Sequence, residues 1–143
     1  MSLKKAAFAF LAFAASSLLG SRADAVEALL LFDGEKGTAF AGCLNCNRYD
    51  DAAVCNKYGD YGSKYSETSL FNPYGKFGSE YETNSPWNRY GEGLRIVDAN
   101  GNYYGRLTIS GFGMSQLPLV RQIIEAHAAS ASLDALRDAI CGD

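Results

Sequence analysis

The residues with the most direct claim to chemistry are Cys43-Leu44-Asn45-Cys46. Two thiolates at this spacing can grip zinc or copper, or exchange disulfides, and Cys55 and Cys141 complete a set of four sulfurs. Against a metal centre stands the lack of a second CxxC, and against redox catalysis the lack of a βαβ pattern around the motif. A c-type haem requires His where Asn47 stands. An even number of cysteines in a small exported chain is most simply a pair of disulfides, with the pairing left open among Cys43, Cys46, Cys55 and Cys141. The alternative is a thiolate metal-binding (Zn or Cu) or thiol-disulfide redox protein built on the same four residues.

Acid-base and nucleophilic catalysis have little to stand on. His127 is the sole histidine and falls late in a helical stretch among alanines, which suits a surface or core-edge ring. Asp50-Asp51 and Glu80/Glu82 are carboxylate pairs in loop-like sequence, where solvated charge is the simpler reading. Asp98-Ala99-Asn100-Gly101-Asn102 places oxygens at alternate positions like the start of a calcium loop. An EF-hand would want Gly at Tyr103 and Glu at Ile109, so a hairpin turn is expected instead. Neither an enzyme nor a cofactor is expected.

The elements that must position these residues begin after a leader. Lys4 and Lys5, the uncharged run from Ala6 to Leu19, and Ala23-Asp24-Ala25 read as a secretory signal peptide over residues 1–25. The apolar run is shorter than the ~20 residues that cross a bilayer, so no membrane span is expected after cleavage and the chain is expected in the periplasm or secreted. Residues 26–143 form one small domain. Without the leader's Lys4, Lys5, Arg22 and Asp24, the 13 basic and 16 acidic side chains become 10 and 15, a net charge of −5. That balance, with no basic cluster, argues against nucleic acid as a partner.

Two hairpins are expected, one over residues 27–43 with its turn at Asp33 to Gly37, the other over Leu94 to Ser110 about Asn100-Gly101. Two helices follow. Ser115 is the expected N-cap of the first, with Val120, Ile123, Ile124 and Ala128 on one face; Ser132 caps the second, with Leu133, Leu136 and Ile140 inward and Gly142 just past its end. The fold class is therefore α+β: a small antiparallel sheet of two β-hairpins, an irregular Tyr/Gly repeat coil between them, and two C-terminal helices. The helices are expected to cover one face of the sheet, and Cys141 to staple them to the Cys43, Cys46 and Cys55 region.

The repeat coil, residues 47–91, carries an internal duplication. Aligning Asn56, Asn72 and Asn88 gives a period of 16 that also matches Tyr58 with Tyr74 and Tyr90, Tyr61 with Phe77, Gly62 with Gly78, and Tyr65 with Tyr81. Gly59, Gly62, Pro73 and Pro86 disfavour a regular helix, so turns with Asn and Ser side chains bonding the backbone are expected. The residue before each Asn is Cys46, Cys55, Phe71 or Trp87, types that favour burial and read as inward anchors. Phe77 is expected to be packed with them. Tyr61, Tyr65 and Tyr81 are the candidate binding-surface residues, rigid amphipathic rings among short hydrogen-bonding neighbours, suited to a protein or glycan partner.

The wording GCLNC at Gly42 to Cys46, NKYGDYGSKYS at Asn56 to Ser66, SPWNRYG at Ser85 to Gly91 and the following IVDANGNYYG resembles a group of largely uncharacterised exported bacterial proteins with YGSKYS and SPWN-type aromatic repeats. In that group the module looks like both a stand-alone small protein and a tail on exported hydrolases. The resemblance, which spans Leu31 to Leu107, implies an accessory rather than a catalytic role. The expected function is an exported, non-enzymatic structural or binding module whose Tyr/Asn/Ser repeat is the interaction surface.

Overall fold

The computed structural model describes residues 26–142, so the signal-peptide reading lies outside the described residues. Four short strands form one antiparallel sheet: β1 (Leu30–Asp33), β2 (Phe40–Cys43), β3 (Leu94–Val97) and β4 (Tyr103–Leu107), in the order β2-β1-β3-β4. Leu31 faces Gly42 on one side and Ile96 on the other, and Leu94 faces Leu107. This register stacks Leu31, Leu94, Ile96 and Leu107 as fully buried side chains. The two expected hairpins thus share a single sheet.

Each hairpin turn is wound about one aspartate. Asp33 accepts the backbone N–H groups of Lys36, Thr38 and Ala39 on its carboxylate. Asp98 accepts those of Asn100 and Asn102, the amide of Asn102 and the hydroxyl of Tyr104. The Asp98 carboxylate that would open a calcium loop is thus consumed inside the turn, as the hairpin reading requires.

Both outer edges of the sheet are closed by irregular chain. Cys43 on β2 donates to the Ala52 carbonyl and accepts from Val54, while Arg106 on β4 is bracketed by Gly113 and Ser115. Covering an edge in this way removes a template for pairing with another chain.

Helix α1 (Pro118–Ala129) and helix α2 (Leu133–Cys141) follow. Ser132 caps α2 by accepting from Ala135, and Gly142 ends it in the left-handed region at φ 77°. For α1 the expectation needs correcting: the N-cap is Leu117, without a side-chain bond, and Ser115 lies two residues earlier, accepting from the Leu117 N–H. Pro118, whose missing N–H costs nothing at a helix start, fixes the entry. On α1 Val120 and Ile123 are buried while Ala128 is exposed.

The helices are not spread over a face of the sheet as their position in the chain suggested. Their ties run to the coil instead: Cys141 is bonded to Cys55, Arg48 donates to the Cys141 carbonyl at 2.8 Å, Asp134 pairs with Lys64, and His127 stacks on Trp87. The reason is that the coil supplies its own large apolar side chains. Val54, Leu70, Phe71, Phe77 and Trp87 join the sheet's Leu31 and Ile96 and the helices' Val120, Ile123 and Leu136 in one core.

Candidate functional site

The coil is a string of backbone turns. From Asn56 onward each carbonyl accepts from the N–H of the next residue in the series: Asn56 from Gly59, Gly59 from Ser63, Ser63 from Ser66, Ser66 from Ser69 and Ser69 from Asn72, and the series resumes with Asn72 from Gly75 and Gly75 from Ser79. Four three-residue steps and one four-residue step thus set the sixteen-residue period seen in the sequence. The duplication is a duplicated turn path.

Asparagine holds the path together with both ends of its amide. The Oδ1 atoms of Asn56, Asn72 and Asn88 each accept the N–H of the tyrosine two residues on, at 3.0 Å. Their Nδ2 atoms donate to the carbonyls of Asp50, Ser66 and Glu82, each six residues back, at 3.1, 2.9 and 3.1 Å. Asn47 serves Tyr49 in the first manner, and the Ser63 and Ser79 hydroxyls accept from the N–H groups of Tyr65 and Tyr81. Short side chains that bond their own turn at i+2 are what a continuous string of turns demands.

Glycine is required where the windings touch. A Cβ on Gly62 would stand 2.1 Å from the Asn56 carbonyl oxygen, and one on Gly78 2.0 Å from that of Asn72. Successive copies are also tied directly, since the Trp87 indole donates to the Leu70 carbonyl at 2.7 Å.

This scaffold sorts the aromatic residues by phase within the period. Phe71, Phe77 and Trp87 are buried, as expected of them. Tyr49, Tyr65 and Tyr81 form one outward series and Tyr58, Tyr74 and Tyr90 a second, and all six are between 83% and 94% exposed. Of the three candidate tyrosines, Tyr65 and Tyr81 stand on this surface. Tyr61 does not: it is half-buried, edge-on to Phe40 with ring centroids 5.1 Å apart. The position sixteen residues later is the buried Phe77, which is the signal that should have assigned Tyr61 inward. Tyr49, Tyr58, Tyr74 and Tyr90 were missed; each follows a turn-capping Asn by two residues, the same relation that Tyr65 and Tyr81 have to Ser63 and Ser79.

Paired tyrosines flank three clefts built from equivalent positions. Tyr49 and Tyr58 flank the first with Cys55 and Asn56, Tyr65 and Tyr74 the second with Phe71 and Asn72, and Tyr81 and Tyr90 the third with Trp87 and Asn88. Their volumes are about 180, 450 and 500 Å³, so the second and third reach the size range of small-molecule sites. The second is walled by Leu133 and Asp134 of α2, the third by Ile109 and by His127 of α1. A further cleft between Tyr58 and Tyr65, walled by Asp134 and Arg137, shares one tyrosine with the first and one with the second. Tyr49, Tyr58, Tyr65 and Tyr74 therefore make an unbroken row. Lys57 and Lys64 lie 5.5 and 5.4 Å from the ring centres of Tyr58 and Tyr65, and Glu80 bonds the Tyr81 phenol and pushes its pKa up.

The four sulfurs are joined as Cys43–Cys46 and Cys55–Cys141. No cysteine among the described residues is free, so a thiolate centre would need both bonds reduced. Compared with protein-family models, with curated proteins and with solved structures, the chain matches none.

Proposed function

We propose that this chain is an exported, non-enzymatic binding module, with the repeat tyrosines as its contact surface. The observation that carries the reading is the outward placement of Tyr49, Tyr58, Tyr65, Tyr74, Tyr81 and Tyr90, each more than four-fifths exposed, while Phe71, Phe77 and Trp87 of the same repeat are buried and Tyr61 is half-buried. Large rings held out by a rigid backbone present contact area at low entropic cost, the property that recognition surfaces use. Two disulfides suit an oxidising compartment, and no helix among the described residues is long and apolar enough to cross a membrane. The resemblance to exported bacterial proteins with this repeat, some of them tails on hydrolases, points the same way.

The test compares the purified protein with a variant carrying serine at all six outward tyrosines, each incubated with cell-envelope material. Retention of the native protein and its loss in the variant is the expected result. Equal retention, or none for either, overturns the reading.

A further inference from the structure

Three clefts made from equivalent residues at a constant sixteen-residue step suit a ligand that itself repeats. What such a ligand is follows from comparing what the clefts share with what they do not. All three keep the tyrosine pair and the asparagine. Charge is not kept: the residue before the first tyrosine is Arg48, Lys64 or Glu80, and the residue before the second is Lys57, Pro73 or Arg89. A polyanion would meet two unopposed cations in the first cleft, Arg48 and Lys57, but in the second Lys64 is offset by Asp134 and in the third Arg89 by Glu80. A polycation fails in the first. Only an uncharged ligand is read alike by all three.

The polar groups that would read a peptide are already occupied. An extended peptide docking in an aromatic groove brings a row of backbone carbonyls that want donors as well as rings to pack against. Here the indole N–H of Trp87 is bonded to the Leu70 carbonyl, and the amides of Asn56, Asn72 and Asn88 are bonded to Asp50, Ser66 and Glu82. The features common to the clefts that remain for a ligand are ring faces and phenol hydroxyls, with the Tyr81 hydroxyl shared with Glu80. Their complement is a flat unit with an apolar C–H face and a rim of hydroxyls, which describes a pyranose.

We infer that the three tyrosine clefts are successive subsites for a linear, neutral polysaccharide, the chain lying along the tyrosine row with neighbouring segments in neighbouring clefts. This rests on the tyrosine row being the contact surface. It adds the chemical class of the ligand and a dependence on its length, because each cleft engaged after the first is filled by an intramolecular step.

The test is electrophoresis of the native protein through gels containing hydroxyethyl cellulose, soluble β-1,3-glucan or glucomannan, followed by calorimetry with oligomers of whichever polymer retards it. Affinity is expected to rise about a hundredfold or more from the disaccharide to a chain that spans all three clefts. Tyr65→Ala with Tyr74→Ala, which removes the middle cleft, is expected to abolish most of that gain and to weaken the spanning chain far more than the disaccharide. Tyr103→Ala, at an exposed ring on β4 outside the row, is expected to change neither value. Thermal unfolding of each variant confirms that it is folded.

Equal affinity for short and long oligomers, or no retardation by any of the neutral polymers, overturns the inference. So does retardation only by alginate or another anionic polymer. If envelope material captures the protein through a proline-rich polypeptide and the six-serine variant loses that capture, the glycan assignment falls but the binding surface stands. If the six-serine variant keeps every interaction of the native protein, both fall.

Discussion

His127 lies flat on Trp87, the two ring planes 4° apart and their centroids 4.7 Å from one another. The pair joins α1 to the second copy of the repeat. Burial pushes the imidazole pKa below its ordinary 6.5, with Glu80 opposing weakly, so the folded state holds this ring neutral where the unfolded chain would protonate it. Stability from this group is present above pH 6.5 and is lost as the pH falls from 6.5 through the lowered folded value. His127→Phe keeps an aromatic face against Trp87 and removes the titration. Denaturant unfolding at several pH values is expected to show the native protein weakening over that window while the variant does not.

Asp98 gives a second, more acidic transition. The Asn102 amide and the Tyr104 hydroxyl, helped by the backbone N–H groups of Asn102 and Asn100, lower its pKa to about 2 against the burial that opposes them. The folded carboxylate resists protonation, so its contribution is present above the unfolded value of 3.8 and is lost as the pH falls towards 2. Asp33, which burial pulls upward but four backbone donors pull further down, acts in the same direction. Asp98→Asn is expected to flatten the acid limb of the stability curve, read by thermal unfolding from neutral pH downward. An unchanged acid limb in that variant would remove Asp98 from the account.

The two disulfides are expected to differ in weight. Cys55–Cys141 closes a span of 86 residues and Cys43–Cys46 a span of 3. On chain entropy alone the first restrains the unfolded state by about 4–5 kcal/mol and the second by about 2 kcal/mol. Replacing Cys55 and Cys141 together by alanine should therefore lower unfolding free energy by roughly 2–3 kcal/mol more than replacing Cys43 and Cys46. Urea titration of the two double variants decides it.

Much of this fold could be read from the sequence because its signals are local. Asn100-Gly101 marked a hairpin, Ser132 and Gly142 bracketed α2, and the aligned asparagines revealed a sixteen-residue period that the backbone bonds then reproduce. The N-cap of α1 was misplaced for a local reason: Ser115 has the preferred capping side chain, but Pro118 at the first helical position makes Leu117 the N-cap. What else could not be read was set by contacts distant in sequence. Helices after a sheet suggested a cover for it, yet Phe71, Phe77 and Trp87 bring the coil into the same core, and His127 of α1 stacks on Trp87. Tyr61 was misplaced for a related reason: its own neighbours resemble those of Tyr65, and only Phe40 on β2, or the buried Phe77 one period later, reveals that it faces inward.

The period itself can be tested through its glycines. Gly78→Ala puts a methyl group 2.0 Å from the Asn72 carbonyl oxygen, a backbone atom that is already bonded to Gly75 and cannot retreat without breaking the turn string. Gly101 at φ +85° has open space around it, so alanine there meets only the cost of a left-handed backbone, about 1–2 kcal/mol. Gly78 has no positive φ to blame, so its whole cost is the contact. If the coil is a stack of close-touching turns, Gly78→Ala and Gly62→Ala must each destabilise by several times the cost of Gly101→Ala, which is of the order that prevents a small domain from folding. Equal midpoints for Gly78→Ala and Gly101→Ala in urea would mean that the windings have room between them. The tyrosines would then lack the rigid backbone that holds them outward, and the case for a pre-built contact surface would weaken with it.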